Sequence, residues 1–189
     1  DTADATSFFN FLTGNGYAVD LVPLNDVLST DFNNYDLIMI ADDSGYLSQW
    51  GIPGDTADQV KQITELDIPV PILGLGEGGY AFFGQLSLFV GWPNGWHGPE
   101  DRVDRAPLAP TAYYTSIPPD PVQVYSEPVN EVGIYLDDSE TLPTDVVPIG
   151  LEPPSPDHAS LIIQDCRHLW GFSGNPREMT GTGEDLFLN

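Results

Sequence analysis

The sequence predicts an α/β fold with a mostly parallel central sheet, because strand-like and helix-like segments alternate through the first half of the chain. Residues 35–41 (YDLIMIA) and 70–75 (VPILGL) are apolar enough to form strands buried on both faces, as central parallel strands are. Residues 4–13 carry apolar side chains at helical spacing. This pattern is typical of a flavodoxin-like three-layer sandwich, in which helices cover both faces of the sheet.

The remaining elements of the first half follow from their boundary residues. The first helix is expected to end at residues 14–16 (GNG), which tolerate positive φ angles. Residues 17–24 (YAVDLVPL) are predicted to form a strand, and residues 25–30 a short helical turn. A helix over 55–66 would be capped by Asp55 or Thr56, and a further helix is predicted at 77–86.

The second half of the chain has a different composition. Residues 91–119 are rich in Pro, Gly and Trp and are predicted to form long loops, and the Pro-rich segment 153–158 is predicted to be a turn. A C-terminal helix capped by Thr180 is expected within 179–188. At least partly antiparallel strands are predicted at 121–129, 131–138, 145–152 and 160–172.

The length of 189 residues suits one domain, and we predict a single domain over 1–189. The chain begins with a helix, whereas sheets of this kind begin with a strand that leads into that helix. We therefore expect that residues before Asp1 supply a missing first strand, or that another segment fills its place. Direct pairing of segments 17–24 and 35–41 would contradict this expectation.

The chain is strongly acidic, with 29 Asp and Glu residues, 5 Lys and Arg residues and a formal net charge of −24. Such a surface repels nucleic acids and anionic membranes, and no segment approaches the ~20 apolar residues that span a bilayer. The composition favours a secreted or cell-surface protein, and the alternative is a halophilic cytoplasm in which salt screens the self-repulsion. Other domains of a larger protein are the expected partners.

The acidic side chains do not form a recognisable metal motif. Asp42-Asp43 and Asp137-Asp138 are predicted to be solvated turns, and weak binding of calcium or of a small molecule is the most that they indicate. The three histidines and one cysteine show no zinc-site spacing, so no cofactor is predicted. Cys166 lies in a strand-like segment and is predicted to be a small core residue.

The stretch 70–82 (VPILGLGEGGYAF) resembles the nucleophile elbow of class I glutamine amidotransferase-like proteins, in which a strand turns sharply into a helix at a Gly-x-Cys-x-Gly sequence. Gly74 and Gly78 match the flanking glycines. The order of the upstream elements also fits the family. The resemblance implies a flavodoxin-like fold and, in catalytic members, hydrolysis of glutamine by a thiolate with a histidine and a glutamate.

The chemistry of the family does not carry over to these positions. The resemblance places Gly76 at the cysteine and, through Pro176, Asn175 at the histidine and Arg177 at the glutamate. Glycine offers no nucleophile and asparagine is not a general base. We therefore expect a divergent member without the Cys and His of the triad, a pseudoenzyme that does not hydrolyse glutamine by the family mechanism.

Other residues near the elbow could still carry a function. Glu77 is either a carboxylate that caps the N-terminus of the following helix or an acid–base group. His97 lies in the predicted loop after that helix and could reach the edge of the sheet where Asp43 also lies. Trp92 and Trp96 either stack against a ligand or anchor their loop.

The sequence therefore leaves two classes of function open. The first is a non-catalytic amidotransferase-like domain with a binding or structural role, for which Glu77→Gln would change little. The second is a hydrolase with a rewired site that uses Glu77 and His97, with Asp43 as a further candidate, and that requires both side chains near one water. Of the other histidines, His158 is predicted to be exposed and His168 to be structural.

Overall fold

The computed structural model describes residues 3–45, 50–52, 55–136, 142–153 and 155–189. The protein has a mixed α/β fold, which confirms the α/β class that the order of the segments predicts. The predicted solvated turn at Asp137-Asp138 lies outside the described residues.

Helix α1 spans Ala3–Gly14 and agrees with the predicted first helix. It buries Phe8, whose ring lies 5.3 Å from the ring of Phe187 in the C-terminal helix. The strand predicted over 17–24 is wrong, since residues 17–23 form no strand and a 3-10 turn follows at Leu24–Ser29. Tyr17 and Leu21 are half exposed, whereas Val22 and Leu24 pack against the core without being part of a strand.

The parallel part of the sheet contains three strands with the elbow strand in the middle. Strand β4 (Ile72–Leu75) lies between β1 (Ile38–Ile40) and β11 (Arg167–Trp170) and runs parallel to both. Among the described residues, β1 pairs with β4 alone. The expectation about residues before Asp1 therefore stays a prediction.

The rest of the main sheet is antiparallel, so the sheet is mixed rather than mostly parallel. Its strand order is β1-β4-β11-β10-β9-β6-β7, and β8 joins β5 to β10. These strands are β5 (Gly95–Glu100), β6 (Arg102–Arg105), β7 (Val122–Gln123), β8 (Val129–Tyr135), β9 (Val146–Glu152) and β10 (Ser155–Gln164). A separate small hairpin pairs β2 (Gly51–Ile52) with β3 (Asp55–Thr56).

Several predicted boundaries need correction. The predicted loop over 91–119 contains β5 and β6; β5 accommodates Pro99 because, in the described part of the chain, it pairs on one side only, with β8. The predicted strand over 160–172 is a hairpin of β10 and β11, and Cys166 is half-buried at its turn rather than in the core. Asp165 adopts a left-handed conformation there, which Asp tolerates.

The other helices complete the fold. Helix α2 spans Asp58–Thr64, so it begins after the predicted caps and its N-cap is Ala57. Helix α3 spans Gly76–Gln85 and follows β4 directly. Helix α4 spans Gly181–Leu188, and its predicted cap is confirmed because Thr180 Oγ1 accepts a hydrogen bond from the Gly183 N–H at 2.9 Å.

Two glycines allow α3 to pack directly against the strand that precedes it. A Cβ atom at Gly74 would lie 2.7 Å from Gly79 Cα, and a Cβ atom at Gly79 would overlap the backbone of Gly74. The helix therefore approaches the strand backbone to backbone, which fixes the geometry of the turn between them.

We predict that Gly79→Ala lowers the free energy of unfolding by about 1–3 kcal/mol, because overpacking outweighs the gain of about 1 kcal/mol that alanine gives in a helix. Gly181→Ala is the matched control, since a Cβ atom there meets nothing within 4 Å. Urea unfolding of both variants measures the difference. A Gly79→Ala protein as stable as the control would show that the two backbones do not touch.

Candidate functional site

The turn from β4 into α3 has the backbone geometry of a nucleophile elbow. Gly76 is the first residue of α3 and has a φ angle of +46°, in the left-handed region that favours glycine. A Cβ atom at this position would overlap Asp42 Oδ1 and lie 2.5 Å from Ser173 Oγ. The space in which a side chain at Gly76 would project is therefore filled.

Asp42 joins three separate parts of the chain at this turn. It begins the 3-10 turn Asp42–Ser44 just after β1, and its Oδ1 accepts a hydrogen bond from the Glu77 N–H at 2.8 Å. The same oxygen accepts a hydrogen bond from the Ser173 hydroxyl at 2.8 Å. Burial raises the pKa of Asp42, and the two donors offset part of this rise.

Glu77 and His97 are in direct contact. His97 Nε2 lies 2.5 Å from Glu77 Oε1, and the side chains are 52% and 34% exposed. The first turn of α3 holds Glu77, while β5 holds His97. The ring of Tyr80 meets the imidazole edge to face with the centroids 5.7 Å apart, which restricts the orientation of His97.

The Glu77–His97 contact lies on the wall of a cavity of about 770 Å³, a size typical of small-molecule sites. Four of the ten described residues that line it are acidic, and His97 is the one basic side chain among them. Besides Glu77 and His97, the polar residues that line it are Asp42, Asp43, Asn130, Glu131 and Ser173. An acidic wall of this kind disfavours anionic ligands.

A group of buried polar side chains lies next to this cavity. Glu131 is 2% exposed on β8 and lies beside the buried side chains of Glu152 and Ser160. Burial, helped by the neighbouring Glu152 and Glu100 carboxylates, raises the pKa of Glu131 to about 8, against an opposing effect of Ser160. Glu131 is therefore largely protonated at neutral pH.

His158 belongs to the same buried group, so the prediction that it is exposed is wrong. Its Nδ1 lies 3.3 Å from Glu152 Oε2, and it is 8% exposed. It is buried because β10 begins at Ser155, within the predicted turn. The rings of Trp96 and Tyr135 enclose it at centroid distances of 6.1 and 4.6 Å.

The structure brings some of the predicted site residues together and separates others. Glu77, His97 and Asp43 line one cavity, whereas neither Trp92 nor Trp96 lies among the described residues that line it. Trp92 is 43% exposed and packs against Gly84, and Trp96 stacks on His158 instead.

The positions that the resemblance matches to the triad histidine and glutamate lie at the 3-10 turn Pro176–Glu178. Asn175 caps this turn: its side-chain oxygen accepts a hydrogen bond from the Arg177 N–H at 3.0 Å, and its amide group donates to Glu178 at 2.9 Å. Both polar ends of Asn175 are thus engaged in the cap.

Sequence reasoning missed Ser173, Asn130 and Glu131 as parts of the pocket wall. Glu131 carried a usable signal, since it is an acidic residue in an otherwise apolar strand sequence (EVGIY). His168, which was expected to be structural, is half-buried near the Tyr113 hydroxyl at 3.4 Å, and burial lowers its pKa. Within the described ranges, no three His, Cys, Asp or Glu side chains are arranged to hold a metal ion.

The comparisons with known proteins support the fold. A crystal structure from Thermoplasma acidophilum, of a protein described as one of the subunits of a "putative GMP synthase", matches with a TM-score of 0.57 and 14% sequence identity. The match covers 97% of this chain and 84% of that one. At this identity the likeness shows the fold alone.

No protein-family model and no curated protein sequence matches the chain. In the described part of the chain, no helix has the length and apolar character needed to cross a bilayer.

We predict that Glu131 makes folding stability fall as pH rises. Its pKa in the folded protein, about 8, lies above the ordinary value of 4.5, so its contribution is fully present below about pH 4.5 and is lost as pH rises through 8. Glu131→Gln should therefore flatten the fall of the unfolding free energy between pH 5 and 8, where one proton accounts for at most about 1.4 kcal/mol per pH unit.

Denaturant unfolding at several pH values measures this slope. Glu65→Gln changes a glutamate outside this buried group and serves as the control, since it should leave the slope unchanged. An equal slope in the wild type and in Glu131→Gln would rule out protonation of Glu131 in the folded state.

Proposed function

We propose that this chain is an amidotransferase-like domain that does not hydrolyse glutamine and that binds a small uncharged or cationic molecule in the cavity beside the elbow. The observation that carries the proposal is the position of Asp42. Its carboxylate takes up the space beside Gly76, the residue that matches the family cysteine, and it accepts the Glu77 N–H. The elbow is therefore closed to the chemistry of the family.

A glutaminase of this type needs more than a thiolate. The backbone N–H after a nucleophile commonly stabilises the oxyanion that forms when the carbonyl is attacked. Here that N–H belongs to Glu77 and already donates to a carboxylate. The residue matched to the family histidine, Asn175, is a helix cap. The nucleophile, the base and the oxyanion donor of the family are thus all replaced, which supports the interpretation of this chain as a divergent member of the superfamily.

The cavity supports a binding role over a purely structural one. The cavity of about 770 Å³ has a size typical of small-molecule sites, and most of the residues that line it are polar. Several of these side chains are carboxyl groups, and the chain as a whole carries a formal charge of −24. Phosphorylated and other anionic ligands are therefore disfavoured, whereas uncharged and cationic ones are accepted.

Two further proposals rest on sequence and topology. The acidic, lysine-poor composition supports a location outside the cell, as a secreted or cell-surface domain, and disfavours nucleic acid as a partner. The parallel strands β1, β4 and β11 support a relationship of this part of the sheet to a flavodoxin-like core.

We predict that the purified protein releases no glutamate from glutamine and that Gly76→Cys does not create this activity. The substitution should instead lower the free energy of unfolding by about 1–3 kcal/mol, because the left-handed φ angle is strained for cysteine and Asp42 occupies the side-chain space. Glutamate release and urea unfolding are the two measurements.

Gly14→Cys is the matched control for the introduced thiol, since a Cβ atom at Gly14 meets nothing within 4 Å. Glutamate release by the wild-type protein above a heat-denatured sample, or by Gly76→Cys above Gly14→Cys, would refute the proposal.

A further inference from the structure

We propose that Glu77 and His97 form an acid–base pair that hydrolyses small uncharged carboxylic esters in the cavity beside the elbow. The inference rests on the proposed function in one respect, since it uses the same cavity. It assigns a reaction to a cavity for which we have proposed only ligand binding. It is carried by the direct contact between the two side chains and by their position on the cavity wall.

The contact leaves one imidazole nitrogen available for chemistry. In the neutral ring, Nε2–H donates to Glu77 Oε1, so the lone pair belongs to Nδ1. Among the described residues, Nδ1 of His97 has no hydrogen-bond partner, and the side chain is 52% exposed. A water in the cavity can therefore reach a nitrogen that accepts a proton.

The reaction follows from this arrangement. As the oxygen of water attacks the ester carbonyl carbon and a C–O bond forms, one water proton passes to His97 Nδ1. The tetrahedral intermediate collapses, the bond between the carbonyl carbon and the alkoxy oxygen breaks, and the leaving oxygen takes the proton from Nδ1. The products are a carboxylic acid and an alcohol. The Glu77 carboxylate accepts the Nε2–H and stabilises the imidazolium, so Glu77 is a positioning residue.

The cavity also provides a donor for the negative charge of the intermediate. The Asn130 amide is an uncharged side chain on the cavity wall, and amide donors stabilise oxyanions at other hydrolytic sites. The Glu77 N–H is not available for this task because Asp42 accepts it. Esters suit such a site better than amides, since an alkoxide leaves more readily than an amide anion and needs less help from a general acid.

The charge of the wall narrows the substrate class further. Asp43 and Glu77 face the same space as His97, so an ester that carries a carboxylate would be repelled. p-Nitrophenyl acetate and 4-acetoxybenzoate are both acetate esters of a para-substituted phenol, and only the second carries a carboxylate. Because nitrophenolate is the better leaving group, each enzymatic rate is divided by the rate that free imidazole gives with the same ester.

The test is hydrolysis of p-nitrophenyl acetate by the wild type, His97→Gln, Glu77→Gln and the double variant. We expect kcat/KM to fall about 100-fold in His97→Gln, the lower end of the usual general-base contribution. Glu77→Gln should lower kcat about 10-fold with KM unchanged, and the double variant should be no worse than His97→Gln, because the pair acts as a unit. Wild-type kcat/KM, divided by the rate constant of free imidazole with the same ester, should be lower for 4-acetoxybenzoate than for p-nitrophenyl acetate.

Three controls separate this chemistry from background. Free imidazole at equal concentration measures the hydrolysis that an unpositioned imidazole gives, and His168→Gln changes a histidine away from the cavity. Nitrogen NMR of His97 gives a readout that a structural role of Glu77 would not move: the wild type should hold the Nε2–H tautomer, and Glu77→Gln should show a mixture.

Wild-type activity no higher than that of free imidazole would overturn the inference, and so would an equal loss in His97→Gln and His168→Gln. An unchanged rate and tautomer in Glu77→Gln would overturn the role of Glu77. These failures are distinct from failure of the proposed function, which glutamate release alone would signal.

Discussion

The turn at the elbow depends on the carboxylate of Asp42. This one side chain links the end of β1, the first turn of α3 and Ser173 after β11 through two hydrogen bonds to a single oxygen. A carboxylate in this partly buried place loses hydration, which raises its pKa, and the two donors offset part of that cost. The position of the helix start, and with it that of Glu77, follows from this link.

The same link leaves Glu77 as the first residue of the turn that carries a side chain. With Asp42 beside it and a left-handed φ angle, position 76 is strained for any residue but glycine, and in this protein the sharp bend presents no side chain. The next residue, Glu77, is the first that projects from the turn, and β5 brings His97 against it. The close packing of Gly74 on Gly79 holds α3 on its strand and so preserves the bend.

Much of the elbow could be predicted because its signals are local. The apolar strand, the glycines and the following helix are contiguous in the chain, and the Thr180 cap also depends on near neighbours. The antiparallel half could not be predicted in the same way. Asp42 and Ser173 meet across 131 residues, and Glu131, Glu152 and Ser160 converge only through strand register. The strand predicted over 17–24 is wrong for a related reason, since an apolar segment forms a strand only where another strand is available to pair with it.

The charge of the cavity is smaller than its carboxyl groups imply. Glu131 is largely protonated at neutral pH because burial raises its pKa to about 8. Of the four carboxyl groups on the cavity wall, Glu131 therefore adds little negative charge at neutral pH. Such a wall repels anionic ligands but does not require a cationic one. An uncharged molecule with a carbonyl or hydroxyl oxygen fits this electrostatic balance best.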